Sequence, residues 1–480
     1  MNKSVFTYLS SYSTDPIKVN RLIVSAYLYS NNIKNFNNRY IKNLEIKEND
    51  HDYESFRNFL VIETIKTFEQ LIELFEFVIS PSDKIINGAV YTPEYIRESI
   101  VGETLSTITL DENTKICDPA CGCSGFLLTA IKWLRNNTSL TFKEIFRNYI
   151  YGLDIEEYSI TRSKILLTLL ALSEGEDEKE FTFNLYKGNA LDFQWSEKIK
   201  DFSGFQVVLG NPPYVCSRNM DDKTRELIEN WEVAKTGHPD LYIPFFQLGY
   251  ENLANNGVLG FITVNTFIKS VNGRALRDYF SKNDVNLKII NFGGEQLFKS
   301  RNTYTCICYL KKNKGEIRYK KILSAQLASL KEQDFYDFNY KELDNHDGWN
   351  LVDSKKKSEY IKQVEAIGRP FKDLFVTKNG IATLMNHVYK FTPIAEDINF
   401  FYLKTKNGRE YVIEKGVCRA IVNANKIHSN KDLELNQERI IFPYTQQNNE
   451  TKIIGEEDFI SEFPQAYEYL ILIAVDTPLY

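Results

Sequence analysis

The stretch FQVVLGNPPYVC (residues 205–216) sets an apolar run against an abrupt stop. Phe205 to Leu209 has the make-up of a buried strand, and the prolines after Asn211 end it, since neither has an N–H for a ladder and each fixes φ. The stop carries chemistry of its own. The Asn211 side-chain oxygen and the Pro212 carbonyl can both accept hydrogen bonds from one NH2 group, and Tyr214 offers a flat face for stacking. An aromatic amine is a poor nucleophile because its lone pair is delocalised into the ring. Two acceptors pulling on its hydrogens favour a tetrahedral nitrogen, so no general base is needed before attack. The electrophile must then carry its own activation, as a sulfonium methyl does.

Working outward, short apolar runs alternate with helical patterns from about residue 86. Strands are expected at Lys115–Cys117, Tyr149–Leu153, Phe183–Tyr186, Phe205–Leu209 and Val258–Val264. Helices are expected between them at Gly125–Leu134, Ser159–Leu172 and Leu241–Ala254. That alternation implies an α/β fold, a parallel sheet covered on both faces. Lys288–Phe292 and Thr303–Leu310 predict an antiparallel hairpin at the sheet edge. Upstream, residues 53–79 place Phe56, Phe59, Leu60, Ile65, Phe68, Leu71, Ile72, Phe75 and Val78 at helical spacing, which predicts one long amphipathic helix. Its plainest role is core for an N-terminal helical region; docking of a partner subunit is the alternative. After about residue 315 the alternation is lost. The expected domains are 1–85, 86–315 and 316–480, and the apolar end EYLILIAVDTPLY is consistent with an incomplete last domain.

Ligands of open parallel sheets bind beyond the carboxyl ends of the strands. After the first strand stands DPACGCSGF (118–126), an acid followed by a turn of small residues that lets a ligand approach the backbone. After the second comes GLDIEEY, with Asp154 where an acceptor for ribose hydroxyls is expected. After the third comes GNALDFQW, with Asp192 and Phe193 as a carboxylate and an aromatic suited to an adenine.

Together these motifs resemble the class I S-adenosylmethionine-dependent methyltransferases, specifically the amino-methylating DNA enzymes of the TaqI type, over about residues 86–312. The resemblance implies a Rossmann-like sheet with helices on both faces, and S-adenosylmethionine as cofactor. NGAVYTPEYI (87–96) resembles the motif that precedes the fold, with Thr92 in the contacting position. DPACGCSGF implies cofactor contacts for Asp118, Ala120 and Gly122, and GLDIEEY implies them for Asp154 and Ile155. ALDF implies Asp192 and Phe193, and Pro213 joins this set. DLYIPFFQLGYENLANNGVLGFITVNTFI implies that Phe245 covers the cofactor's adenine. In GGEQLFKSRNTYTCICYLKK (293–312) Phe298 best matches an aromatic that packs on a flipped base, Tyr304 is second, and Lys299 and Arg301 are its DNA-facing neighbours. Motif order is that of the gamma subgroup, with a target-recognition domain last. Asn rather than Ser at position 211 favours adenine N6 over cytosine N4. The implied activity is methylation of adenine in double-stranded DNA, as the modification enzyme of a restriction-modification or phage-defence system. A separate restriction endonuclease or specificity subunit stays open as a partner.

Composition bounds these expectations. The 480 residues are 43% apolar and 14% aromatic, enough for large cores, and the net charge of −6 confines DNA contact to local patches. Seven cysteines without a secretory pattern at Met1-Asn2-Lys3 fit a cytoplasmic protein. No stretch is long and apolar enough for a membrane span. Cys121/Cys123 and Cys306/Cys308 lack the spacing of zinc pairs, so no metal is expected. The run Lys299, Arg301, Lys311, Lys312, Lys314, Arg318, Lys320 and Lys321 is read as phosphate contact beside the target base; a solvated strand edge is the other reading. Two other functions remain: a protein glutamine methyltransferase using the same Asn-Pro-Pro-Tyr clamp, and a non-catalytic DNA-binding module.

Overall fold

The computed structural model describes residues 3–77, 91–298, 303–352, 354–376, 380–381, 383, 385–405, 408–447 and 450–476. The chain divides into two compact units, Met1–Ala366 and Ile367–Tyr480.

The first unit is built on a nine-stranded sheet. Strands β1 (Ile116–Asp118), β2 (Ile150–Asp154), β3 (Asn184–Lys187), β4 (Phe205–Gly210), β5 (Leu253–Val264), β6 (Val285–Asn291), β7 (Thr305–Lys314), β8 (Ile317–Lys321) and β9 (Tyr336–Phe338) lie in the order β3-β2-β1-β4-β5-β7-β6-β8-β9. Strands β1 to β5 run parallel, and β7 runs antiparallel to both β5 and β6. The reversal of strand order between β1 and β4 is the switch point at which such sheets open a crevice. Helices cover both faces. A Cβ on Gly260 would meet Thr104 and Ile100 of the helix Glu94–Ser106, whereas a Cβ on Gly249, in the helix Tyr242–Glu251, would meet Leu259 and Phe261. Successive strand residues point to opposite faces, so these two helices sandwich β5.

The hairpin of β6 and β7 is not the sheet edge. β8 pairs with β6 in parallel and β9 pairs with β8. The alternation Ile317, Tyr319 inward against Arg318, Lys320 outward is a strand signal masked by its three cations. The first unit therefore runs on to residue 366 rather than ending near 315, and the N-terminal helices belong to it rather than forming a region of their own.

The expected long helix is two, Tyr53–Ile62 and Phe68–Phe77; residues 78 and 79 lie outside the described residues. The break is a capping box at TFEQ: Thr67 Oγ1 accepts from Gln70 N (3.2 Å), and Gln70 Oε1 accepts from Thr67 N (3.0 Å). The β-branched run Thr64, Ile65 and Thr67 also weakens helix continuation.

The second unit has its own small core, including Val388, Phe401, Leu403, Ile413, Val417 and Tyr469. Antiparallel strands Phe400–Lys404 and Glu410–Glu414 pair within it, and the ERIIFPY segment contributes the strand Arg439–Ile441. Most of the apolar carboxyl end forms the helix Pro464–Asp476. Among the described residues no helix is long and apolar enough to cross a membrane.

Candidate active site

A cavity of about 180 Å³ opens at the carboxyl edge of β1 to β4. The loop after β1 makes its floor. Gly122 takes φ +52° and Ser124 φ +66°, left-handed conformations that turn the chain sharply into the helix Gly125–Asn137. That turn lets Gly122 N donate to Asp154 Oδ2 (2.9 Å), while Glu156 N donates to Asp154 Oδ1 (2.9 Å). Asp118 is buried at the end of β1, and its Oδ1 accepts from Ala120 N (3.0 Å). Gly210 makes room for it from β4: a Cβ there would sit 2.7 Å from Asp118 Oδ1.

Burial raises both acids. Asp118 is pushed up to about 8, chiefly by desolvation, with the Ala120 N–H opposing and the Asp154 charge adding to the rise. Asp154 is pushed up to about 6 by burial, opposed by the N–H donors of Glu156 and Gly122. Two carboxylates are thus packed together at an open cavity. The arrangement suits a ligand that brings positive charge to Asp118 and hydroxyl donors to Asp154.

Of the residues singled out by sequence, Thr92, Asp118, Ala120, Gly122, Asp154, Ile155, Asn211, Pro213 and Phe245 line this cavity. Asp192 and Phe193 do not. The chain turns at Gly188, whose N–H donates to Asp154 O (2.9 Å), so Gly188, Asn189 and Ala190 form the wall instead. Asp192 is exposed, and Phe193 lies over Gly188 and against Trp195, ring centroids 4.8 Å apart.

Pro212 and Tyr214 are buried beside the cavity. Tyr214 OH donates to Ile262 O (3.2 Å), and its ring lies 6.2 Å from that of Phe298 at 58°. Phe298 is itself buried, whereas Tyr304 is half exposed. The two rings that sequence pairs on a base are neighbours, tilted rather than parallel. Lys299 and Arg301 lie outside the described residues.

The basic run reads differently in three dimensions. Because β7 is antiparallel, Thr305 pairs with Val264 at the carboxyl edge but Lys311 pairs with Val258 at the other end. There Lys312 Nζ donates to Tyr250 O (2.6 Å), Lys314 pairs with Asp284 (3.3 Å) and Arg318 with Glu332 (2.5 Å). These three cations anchor the amino-terminal edge, away from the cavity. The solvated-edge reading holds for them.

Sequence reasoning passed over Ile72, Glu76, Arg97 and Asn189, which also line the cavity. Asn189 stood in the quoted motif three residues before the acid chosen. The cysteine thiols of the floor, Cys121 and Cys123, are pushed up by burial, and their loop is held by Cys121 N donating to Leu153 O (2.9 Å). Among the described residues no cluster of His, Cys, Asp and Glu stands in a metal-holding arrangement.

Strand order, the antiparallel β7 and a cavity at the switch point define the sheet of a class I S-adenosylmethionine-dependent methyltransferase. Residues 148–298 match the family described as Eco57I restriction-modification methylase. The chain is 26% identical to the Type II restriction enzyme and methyltransferase RM.Eco57I of Escherichia coli, over 84% of this chain and 46% of that protein. It is 28% identical to the Type II methyltransferase M.BstVI of Geobacillus stearothermophilus, over 53% and 47%. Among solved structures, the Type IIL restriction-modification enzyme MmeI in complex with DNA is similar in fold, with a TM-score of 0.57 and 11% identity over 99% of this chain and 74% of that one. The chain spans about half the length of the curated relatives it matches.

Proposed function

We propose that this protein transfers a methyl group from S-adenosylmethionine to N6 of an adenine flipped out of duplex DNA, as the modification activity of a restriction-modification system. The observation that carries the reading is Asn211-Pro-Pro-Tyr at the end of β4, on the wall of the cavity that holds Asp118 and Asp154. The site fits the cofactor: a buried carboxylate raised to about 8 suits its cationic end, Asp154 suits its ribose, and Ile155 and Phe245 supply apolar walls. When bound, S-adenosylmethionine supplies an activated methyl.

The chain supplies position. Asn211 Oδ1 and the Pro212 carbonyl accept the two N6 hydrogens, which localises the nitrogen lone pair toward the methyl. The Tyr214 ring bears on the base, with Phe298 beside it. N6 cannot reach an in-line donor from within the stack, so the base leaves the duplex first. Lys299 and Arg301 are the proposed phosphate partners next to Phe298. The relatives named above and the DNA complex of similar fold favour DNA over protein as substrate.

The test is incubation with labelled S-adenosylmethionine and either unmethylated duplex DNA or a release-factor protein. Label is expected in N6-methyladenine. Asn211→Ala should lower transfer at least ~1,000-fold, since clamp and orientation are lost together, while cofactor binding persists. Label in protein glutamine, or normal turnover of that variant, would overturn the reading.

A further inference from the structure

One hydrogen-bond network runs from the clamp to the N-terminal helix Phe68–Phe77. Asn211 Nδ2 donates to Thr92 Oγ1 (3.0 Å). Thr92 is buried, and its backbone carbonyl accepts from Arg97 Nε (3.1 Å). Arg97, 1% exposed, donates through Nη1 to Gly125 O (2.6 Å) and Thr129 Oγ1 (3.0 Å) in the helix after the cofactor loop. Its Nη2 donates to both carboxylate oxygens of Glu69, in the N-terminal helix Phe68–Phe77. Tyr91 OH donates to the same carboxylate (2.6 Å). The same helix places Ile72 and Glu76 on the cavity wall.

An asparagine amide is nearly symmetric in shape but opposite in hydrogen-bonding sense on its two sides. A clamp that accepts from an amine works only with Oδ1 turned to the substrate, and a flip would present two donors to two donors. In this structure the Thr92 hydroxyl accepts from Nδ2, the pairing that goes with the working orientation, and so holds the amide in place; a valine there would leave Nδ2 without this acceptor. Arg97 then fixes where Thr92 stands, because one rigid fork ties its carbonyl, the first turn of Gly125–Asn137 and Glu69 together.

We infer that Thr92 is the positioning residue of Asn211, and that the Arg97–Glu69 pair makes the N-terminal helices a working part of the transfer site. The inference rests on the function proposed above. It assigns Thr92 a task beyond the cofactor contact implied by its motif.

The full chain is compared as wild type, Thr92→Val, Thr92→Ser, Glu69→Gln and the double variant Glu69→Gln/Thr92→Val. Single-turnover transfer to unmethylated phage DNA is read beside calorimetric affinity for S-adenosylmethionine. Thr92→Val should slow transfer at saturating S-adenosylmethionine about 10- to 100-fold, the scale of a misplaced reacting group, a loss larger than any fall in cofactor affinity. Thr92→Ser, which keeps the hydroxyl, should restore the rate to within about threefold. Glu69→Gln should slow transfer by about three- to tenfold, and the double variant should be no slower than Thr92→Val, as expected for two residues acting through one path.

Transfer by Thr92→Val within twofold of wild type overturns the inference. So does a loss of cofactor affinity that matches the loss of rate, or a serine variant as slow as the valine. An additive double variant overturns the part assigned to Glu69. If the wild type binds cofactor yet methylates no DNA, the proposed function fails instead, and the two failures are told apart by that control.

Discussion

The two edges of the central sheet carry charge in opposite ways. At the amino-terminal edge four cations are answered: Lys288 is buried between Glu103 and Glu332, Arg318 shares Glu332, Lys314 meets Asp284, and Lys312 meets a backbone carbonyl. At the carboxyl edge Asp118 is buried and Asp154 half-buried at the cavity, and the hydrogen bonds they accept come from backbone N–H groups and a serine. Arg97 lines the same cavity but is committed to Glu69. Charge that is matched inside the fold stabilises the fold. Charge left to a cavity is held for a ligand, and the cost shows as raised carboxyl pKa values.

The largest expected effect beyond the Asn211 and Thr92 variants falls on Asp118. Its folded pKa of about 8 lies above the usual carboxyl value, so between about pH 4 and 8 the folded ligand-free chain holds a proton that the unfolded chain has released. Stability of the ligand-free protein therefore falls as pH rises through that window. Binding of a cationic ligand runs the other way, because it needs the carboxylate: affinity should rise with pH toward 8, by up to about tenfold per unit. Asp118→Asn should flatten that profile and weaken S-adenosylmethionine about 10- to 100-fold at pH 8, the scale of a lost hydrogen bond to a charged group. The same variant should melt higher than wild type when ligand-free at pH 8. Calorimetry and thermal melts across pH 6 to 8.5 check both, and a flat wild-type profile would break the comparison at its carboxyl edge.

A smaller effect tests the other edge. Lys288→Ala leaves Glu103 and Glu332 without their shared cation and removes an ammonium that lies over the rings of Tyr309 and Phe335. It should cost about 1–3 kcal/mol in urea unfolding, below a fully buried pair because both glutamates reach solvent, with cofactor affinity unchanged. A large loss of affinity with intact stability would show that the edges are not separate in role.

The smallest effect concerns DNA. Lys312→Ala and Lys314→Ala should each change stability by about 1 kcal/mol or less and leave the salt dependence of DNA binding as it was. A phosphate contact would instead lower the slope of log K against log salt by about one per lysine. Titrations at several salt concentrations decide between the two.

Much of this was legible in the chain itself. Strands β1 to β5 follow from their apolar runs, and the stop at Pro212-Pro213 follows from the missing N–H groups. Local signals also existed where the reading went astray: TFEQ caps a second helix, and the alternation of Ile317 and Tyr319 announces β8. Asp192 stands outside the cavity lining because the turn at Gly188 brings Gly188, Asn189 and Ala190 to the wall.

The sequence by itself determined the α/β alternation, the acids at strand ends and the Asn-Pro-Pro-Tyr strand stop, because these depend on backbone preference and on neighbours a few residues away. Only the tertiary structure decided that Lys312, Lys314 and Arg318 anchor the far edge, that Arg97 is a buried hub, and that a helix from the N-terminal region walls the cavity. Each depends on contacts between residues remote in the chain, such as Arg97 with Glu69 or Asn211 with Thr92, 119 positions apart. Pairing and burial fix what a charged or amide group can do, and neither is written in local pattern.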